Sequence, residues 1–477
     1  VRIPISTTTP AATPTWARIL AFALIALALV RGVFMLTAQP LVALANNYDQ
    51  VRYTGCFDLY PVRPGVDPTS NNYQAPLETY AFQPVPNPIC YWTSDLAFQG
   101  AAALAFAAHE AVGGDANHSV RQLGILRFAA WLVAIVLVSL AFVRDGSPHA
   151  ALANLAWFAF LGADPVNTLY LNTFYSEAGA LFFAYLTVAL AVLAASRATA
   201  LRLVLLALAA FALGFSKMQH LALPLVVAAA LAFGALVRVP SLWRVGAAVF
   251  VGGVLACGAQ LMQMQRGGPM FGSIATANNL DFALTALLPA SDDAARTAQR
   301  VGLGEACAAH LGKSIYTVGA APETACPGVG ALSRSRALGL ALSEPATLVR
   351  LVAAIPKDLV PWIPHYLGTV AGAEIAPLPD RFFSIDRVFA RRTALVWLAL
   401  ALPAVLAVFL LARRRSSPPA LALVLACAAV ALAVPVVSMF GDGLVELAKH
   451  SHLALNAACA AVLALAVGAS VRRATAI

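Results

Sequence analysis

Four polar clusters interrupt an otherwise apolar chain, and each holds residue types that can move a proton or hold an anion. Asn46-Asn47-Tyr48-Asp49-Gln50 follows the first apolar stretch. A carboxylate at that boundary of water and lipid can take a proton from an attacking hydroxyl, as a general base does; equally, an Asp there caps a short loop helix. Asn167–Glu177 gathers Asn, Thr, Tyr and Ser ahead of Glu177, which apolar residues follow at once. An acid so deep is costly and normally faces a cavity or a partner; the alternative is a helix start capped by Ser176, with Glu177 answering the macrodipole. Ser216-Lys217-Met218-Gln219-His220 sets a cation and an imidazole between two apolar runs, so Lys217 and His220 either meet a phosphate or, for Lys217, snorkel from a helix end. In Gly441–His452, Glu446 and His450 are four apart, on one face of a helix, with Asp442 a turn earlier and Lys449 and His452 beside them. That acid–histidine spacing can bind a divalent metal but does not require one, and no cofactor follows from it. Arg31 lies two turns inside the first apolar run, where an arginine snorkels, meets an anion such as a lipid phosphate, or pairs with Glu177 or another acid.

The elements that position these residues cross a membrane. The chain has 477 residues, 60% hydrophobic and 11% charged, against about a quarter charged in a soluble domain. Its apolar runs predict an all-α, polytopic fold of about ten spans near 17–38, 124–143, 149–164, 177–195, 202–216, 221–237, 245–263, 392–412, 419–438 and 452–470. The formal charge of +9 fits cytoplasmic loops rich in Lys and Arg rather than a nucleic-acid partner. Arg2, Arg18, Arg197–Arg202, Arg238–Arg244, Arg413–Arg415, Arg472 and Arg473 fall on one side by span count, which puts both termini in the cytoplasm of a bacterial inner-membrane protein. The first run lacks a small-residue cleavage site and reads as a retained helix.

Two long segments face the other side of a single membrane domain, 39–123 and 264–391. In the first, Asp95–Val112 has helical spacing but is too short to cross, so it lies along the interface. In the second, Ser343-Glu344-Pro345 starts a helix, with Ser343 as cap and Pro345 in the first turn, running to a break at Pro356. Cys56 with Cys90, and Cys307 with Cys326, share one outer segment each and fit disulfides in an oxidising compartment. All the polar clusters approach this outer face. A conduction path distributes polar groups through the membrane depth, so one-sided clustering favours chemistry on a membrane-presented substrate over transport, with acyl or phosphoryl transfer as a further alternative.

The long first outer loop with an acid just beyond the first helix, the horizontal helices and the ten spans resemble the GT-C superfamily of glycosyltransferases. Asn46–Asp49, Asn172–Glu177, Phe383–Arg391 and Gly441–Asn456 further resemble bacterial glycan hexose transferases of the WsfD type. The resemblance implies sugar transfer, with inversion, from a polyprenyl-phosphate donor to a glycan or lipid-linked acceptor on the extracytoplasmic side. It assigns Asp49 as the base; Lys217, His450 and either Arg31 or Lys449 as stabilisers of the departing phosphate; and Glu177, Asp442 and Glu446 as groups orienting the sugar or those cations. Loop one lacks the paired acids of some GT-C branches, which leaves Asp58 and Asp95 as alternative bases.

Overall fold

Lipid offers the backbone no hydrogen bonds, so long apolar runs fold as helices that satisfy themselves, and this chain is an all-α polytopic membrane protein. The computed structural model describes residues 14–44, 50–70, 77–360, 362–363, 367–371, 374–376, 378–413 and 417–475. The principal helices are α1 (Thr15–Leu36), α2 (Leu96–Ala111), α3 (Val120–Arg144), α4 (Pro148–Trp157), α5 (Glu177–Ser196), α6 (Ala200–Gly214), α7 (Leu223–Val237), α8 (Leu242–Arg266), α9 (Gly268–Asp281), α10 (Arg334–Ser343), α11 (Pro345–Asp358), α12 (Thr393–Ala412), α13 (Pro418–Asp442), α14 (Leu447–His450) and α15 (His452–Thr475).

A helix stands at each of the ten expected spans, but among the described residues seven are long and apolar enough to cross alone. The 15-residue α6 reaches only about 22 Å at 1.5 Å per residue. The 10-residue α4 continues as a π-helical turn, Phe158–Gly162. In the second segment α10 and α11 meet at 110°. Here the local expectation fails: Ser343 closes α10, its hydroxyl donating to Leu340 O at 2.8 Å, and Glu344 is the residue before α11. Pro356 does not end α11, which runs two residues further to Asp358.

The helix ends sort into two faces. On one, Arg202 holds Asp145 with both carboxylate oxygens, at 2.6 and 2.8 Å, joining the end of α3 to the start of α6. Arg238 donates to Arg413 O there, and Arg18 shares a crevice with Val143 and Pro148. On the other face lie both long segments. Two small antiparallel sheets, unforeseen because their strands are two to five residues long, organise them. Leu59–Pro61, Thr79–Phe82 and His118–Ser119 form one. In the other, Ala43–Leu44 pairs with Leu367–Ala371, so the first segment is stitched to the second. The disulfides Cys56–Cys90 and Cys307–Cys326 form as expected.

Between the short helix Pro165–Thr168 and α5 the buried chain runs without regular structure, and its carbonyls need donors. Arg127, buried in α3, supplies them: its guanidinium donates to the carbonyls of Tyr170, Leu171, Thr173 and Tyr175 and forms an ion pair with Asp95. Gln99 donates to Asp95 at 2.7 Å and to Phe174 O at 3.0 Å. The amides of Asn167 and Asn456 exchange two hydrogen bonds of 2.8 Å. Removing one partner of a buried ion pair costs about 3–5 kcal/mol, so Asp95→Asn and Arg127→Met are expected to lower the melting temperature in detergent far more than Arg300→Met, whose pair with Glu344 is exposed. Equal shifts for all three variants would show that the clamp does not hold the loop.

Candidate functional site

The clamped loop delivers Glu177 as the first residue of α5, 1% exposed. Ser176 does not cap this helix; its hydroxyl instead lies 3.2 Å from Tyr53 Oη. With the capping role vacant, Glu177 turns to Lys217, whose Nζ donates to Oε1 at 2.6 Å. Lys217 sits in the turn from α6 to α7 in extended backbone, which aims its side chain across the helix ends rather than outward into lipid. Its ammonium also lies 3.4 Å from His450 Nδ1, and His450 Nε2 is 2.8 Å from Asp442 Oδ2. Four residues from three separate regions therefore form one chain of acid, ammonium, imidazole and acid.

The hydrogen bonds fix the imidazole's tautomer. Burial, reinforced by Lys217 and Lys449, pushes His450 down to about 3, so the ring is neutral, accepting from Lys217 at Nδ1 and donating from Nε2 to Asp442. Glu446 and His450 do share a helical turn, His450 N donating to Glu446 O at 3.0 Å, but Glu446 is not the nearest acid to the ring. α13 ends at Asp442, Gly443 reverses the chain at φ +67°, and Glu446 takes a left-handed conformation at φ 53°. A side chain at Gly443 would collide with the backbone of Asp281. That reversal brings Asp442 closer to the ring than Glu446, which stays 3.8 Å away and binds Lys449 at 3.0 Å. Lys449, 1% exposed, also lies 4.8 Å over the Tyr175 ring, a cation–π contact that offsets part of its desolvation.

Of the other expected residues, His220 is at the same end: Ser216 Oγ lies 2.9 Å from its Nδ1, and its ring is 6.3 Å from that of His452. Buried polar atoms without a hydrogen-bond partner among the described residues gather here, namely Glu177 Oε2, His220 Nε2, Tyr170 Oη and Ser451 Oγ. Groups that costly to bury dry leave hydrogen-bonding capacity unused at this end of the bundle. Arg31 is elsewhere, donating to Asp164 at 2.7 Å and to the carbonyls of Ala159 and Phe160. Asp95 is committed to Arg127. Asp49 lies outside the described residues, but its neighbour Gln50 accepts from Phe174 N at 2.8 Å, three residues before Glu177. Among the described residues no group of three or more His, Cys, Asp and Glu is arranged to hold a metal.

Sequence reasoning missed Arg127, Asp281 and Arg334. The first had a signal, a lone arginine inside an apolar span; the others sit in a segment without periodicity. Arg334 donates to Gly441 O at 2.8 Å and lies 4.5 Å over the Phe282 ring. Asp281 accepts from Ile315 N at 2.6 Å, yet burial, with Asp442 and Glu446 adding to it, raises its carboxyl to about 7. The unfolded carboxyl ionises near 3.9, so the folded chain keeps a proton that the unfolded chain releases, and this contribution to stability is lost as pH rises toward about 7. Asp281→Asn, which mimics the protonated acid, is expected to flatten the fall in melting temperature between about pH 4 and 7; a parallel fall in the variant would assign that slope to other groups.

Residues 11–325 match the model of the family described as the YfdI N-terminal transmembrane domain. That region holds Glu177, Lys217 and His220, while Asp442–His452 follows it. No curated protein and no solved structure matches the chain. With well over half its length covered, the chain belongs to the YfdI N-terminal transmembrane domain family.

Proposed function

We propose that this membrane protein is a GT-C-type glycosyltransferase, resembling WsfD-type hexose transferases, that moves a sugar from a polyprenyl-phosphate donor to a glycan or lipid-linked acceptor. The observation that carries this reading is the buried Glu177–Lys217–His450–Asp442 chain at one end of the helix bundle. Transfer forms a bond from the acceptor oxygen to the sugar's anomeric carbon and breaks the bond from that carbon to the phosphate oxygen. The electron pair goes to the phosphate, and the acceptor proton goes to a carboxylate. Lys217 and Lys449 supply positive charge for the leaving phosphate in a water-poor setting, where fixed charge is worth most. Asp442 holds His450 so that its Nδ1 faces Lys217. For the base, Glu177 has a free oxygen within the cluster, and Asp49 has the position the family resemblance favours.

The basic helix ends, with Arg144, Arg197, Arg238 and Arg413, would face the cytoplasm, leaving the cluster and both disulfides on the extracytoplasmic side of a bacterial inner membrane. Against transport stands the gathering of charge at one end. A membrane acyl or phosphoryl transferase would use the His450–Asp442 pair as its base, and that reading requires the face of the imidazole now turned to Lys217.

Two experiments test the proposal. Purified protein given a panel of polyprenyl-phosphate sugars is expected to turn over at least one. Lys217→Met and one of Glu177→Gln or Asp49→Asn should then lower kcat by about 10²–10⁴-fold while the acid variant keeps donor binding. Undiminished turnover in both acid variants would remove the carboxylate base. In intact cells, Lys313→Cys, exposed in the second segment, should react with a membrane-impermeant maleimide, whereas Arg197→Cys should react only after permeabilisation; the opposite pattern would invert the topology.

A further inference from the structure

A cavity of about 560 Å³ runs inside the bundle between α4, α5, α13 and α15, within the roughly 300–1,000 Å³ range of pockets that hold organic ligands. Its wall is mainly apolar, with Asn154, Tyr185 and Asn456 inside and Ser147, His149, Ser196 and Ser417 also lining it. On α15 the lining residues Leu453, Ala457, Ala460 and Ala464 recur at helical spacing, and their small side chains leave the space. The end toward the acid–lysine–histidine cluster is shut: Leu453 and Asn456 are 1% and 3% exposed, and Asn456 is tied to Asn167 and to His452 O. The lining opens steadily away from that end. Along α5 it passes from buried Leu181 and Ala184 to exposed Ser196, and along α13 from buried Val430 and Cys427 to Ser417, exposed at its start.

The mouth therefore lies on the basic face. There Ser196 Oγ donates to Asp145 at 2.9 Å, which draws the ends of α3 and α5 together. Arg144 and Arg197, the residues next to that contact, are both exposed. The single acid at the junction, Asp145, is already held by Arg202 through both oxygens, so it does not cancel the two arginines. An apolar chamber closed at its inner end, with a cationic lip, is complementary to an anionic head carrying a long apolar tail.

We propose that the cavity binds one acyl chain of an anionic phospholipid from the leaflet opposite the cluster, with the lipid phosphate against Arg144 and Arg197. This site is separate from that of the sugar donor, whose head group belongs at the other end of the bundle. Its test needs no enzymatic activity, so it can fail while the transferase reading stands, or the reverse.

The full-length protein is placed in phosphatidylcholine nanodiscs with a phosphatidylglycerol probe bearing a diazirine on its acyl chain, and cross-linked peptides are mapped. Labelling is expected on the cavity-lining parts of α4, α5 and α15, displaced by unlabelled phosphatidylglycerol and far less by phosphatidylcholine. Arg144→Gln and Arg197→Gln should each weaken the preference for the anionic lipid roughly fivefold without abolishing chain labelling. Ala460→Trp fills the cavity and should remove labelling there; Ala464→Trp, nearer the mouth, serves if the first variant fails to give a monodisperse protein. Equal labelling by a phosphatidylcholine probe, or labelling that survives either filled cavity, overturns the proposal. So does displacement by polyprenyl phosphate but not by phosphatidylglycerol, which would give the cavity to the donor's tail.

Discussion

Non-helical backbone inside a bundle survives only where something replaces water for its carbonyls, and here that something is Arg127. One guanidinium reaches carbonyls of residues 170, 171, 173 and 175 and is neutralised by Asp95. Neither residue touches the Lys217–His450 chain, yet Glu177 is the next residue but one after the last carbonyl they hold. A loop of this kind fixes where α5 begins, and where α5 begins fixes which way Glu177 points. Gln50, Gln99 and the Asn167–Asn456 pair extend the same function to the first long segment, to α2 and to the last helix.

The cluster itself is an exercise in mutual compensation. A buried ammonium or carboxylate is expensive unless paired and hydrogen-bonded. Lys217 is balanced by Glu177, Lys449 by Glu446 and the Tyr175 ring, and the neutral His450 joins Lys217 to Asp442. Among the described residues the arrangement still leaves one Glu177 oxygen and three neighbouring polar atoms without a hydrogen-bond partner.

Much of this was legible in the sequence. Each expected span contains a helix, because a run of apolar residues in lipid has one economical conformation. Both cysteine pairs were visible from the confinement of each to one long segment. Glu177, Lys217, His220 and His450 were visible as polar residues stranded at apolar boundaries. Asp442, Glu446 and His450 were visible as one group, and Glu446 lies within 3.8 Å of the ring; what spacing did not show is that the reversal at Gly443 brings Asp442, eight residues away, closer still at 2.8 Å. Helical arithmetic presumes that the helix continues, and a glycine with positive φ ends it. Arg31 shows the same limit, since its counter-ion Asp164 is 133 residues distant. Long-range pairing and three-residue strands leave no periodic trace.

The strand pairing of Ala43–Leu44 with Leu367–Ala371 has a consequence for the order of assembly. Synthesis inserts α1 early, but the strand Ala43–Leu44 cannot acquire its sheet partner until more than three hundred further residues have emerged. Lys217 likewise waits for His450. A chain interrupted before α13 thus holds Glu177 and Lys217 without Asp442 and His450, so the row of acid, ammonium, imidazole and acid closes only once the C-terminal helices dock.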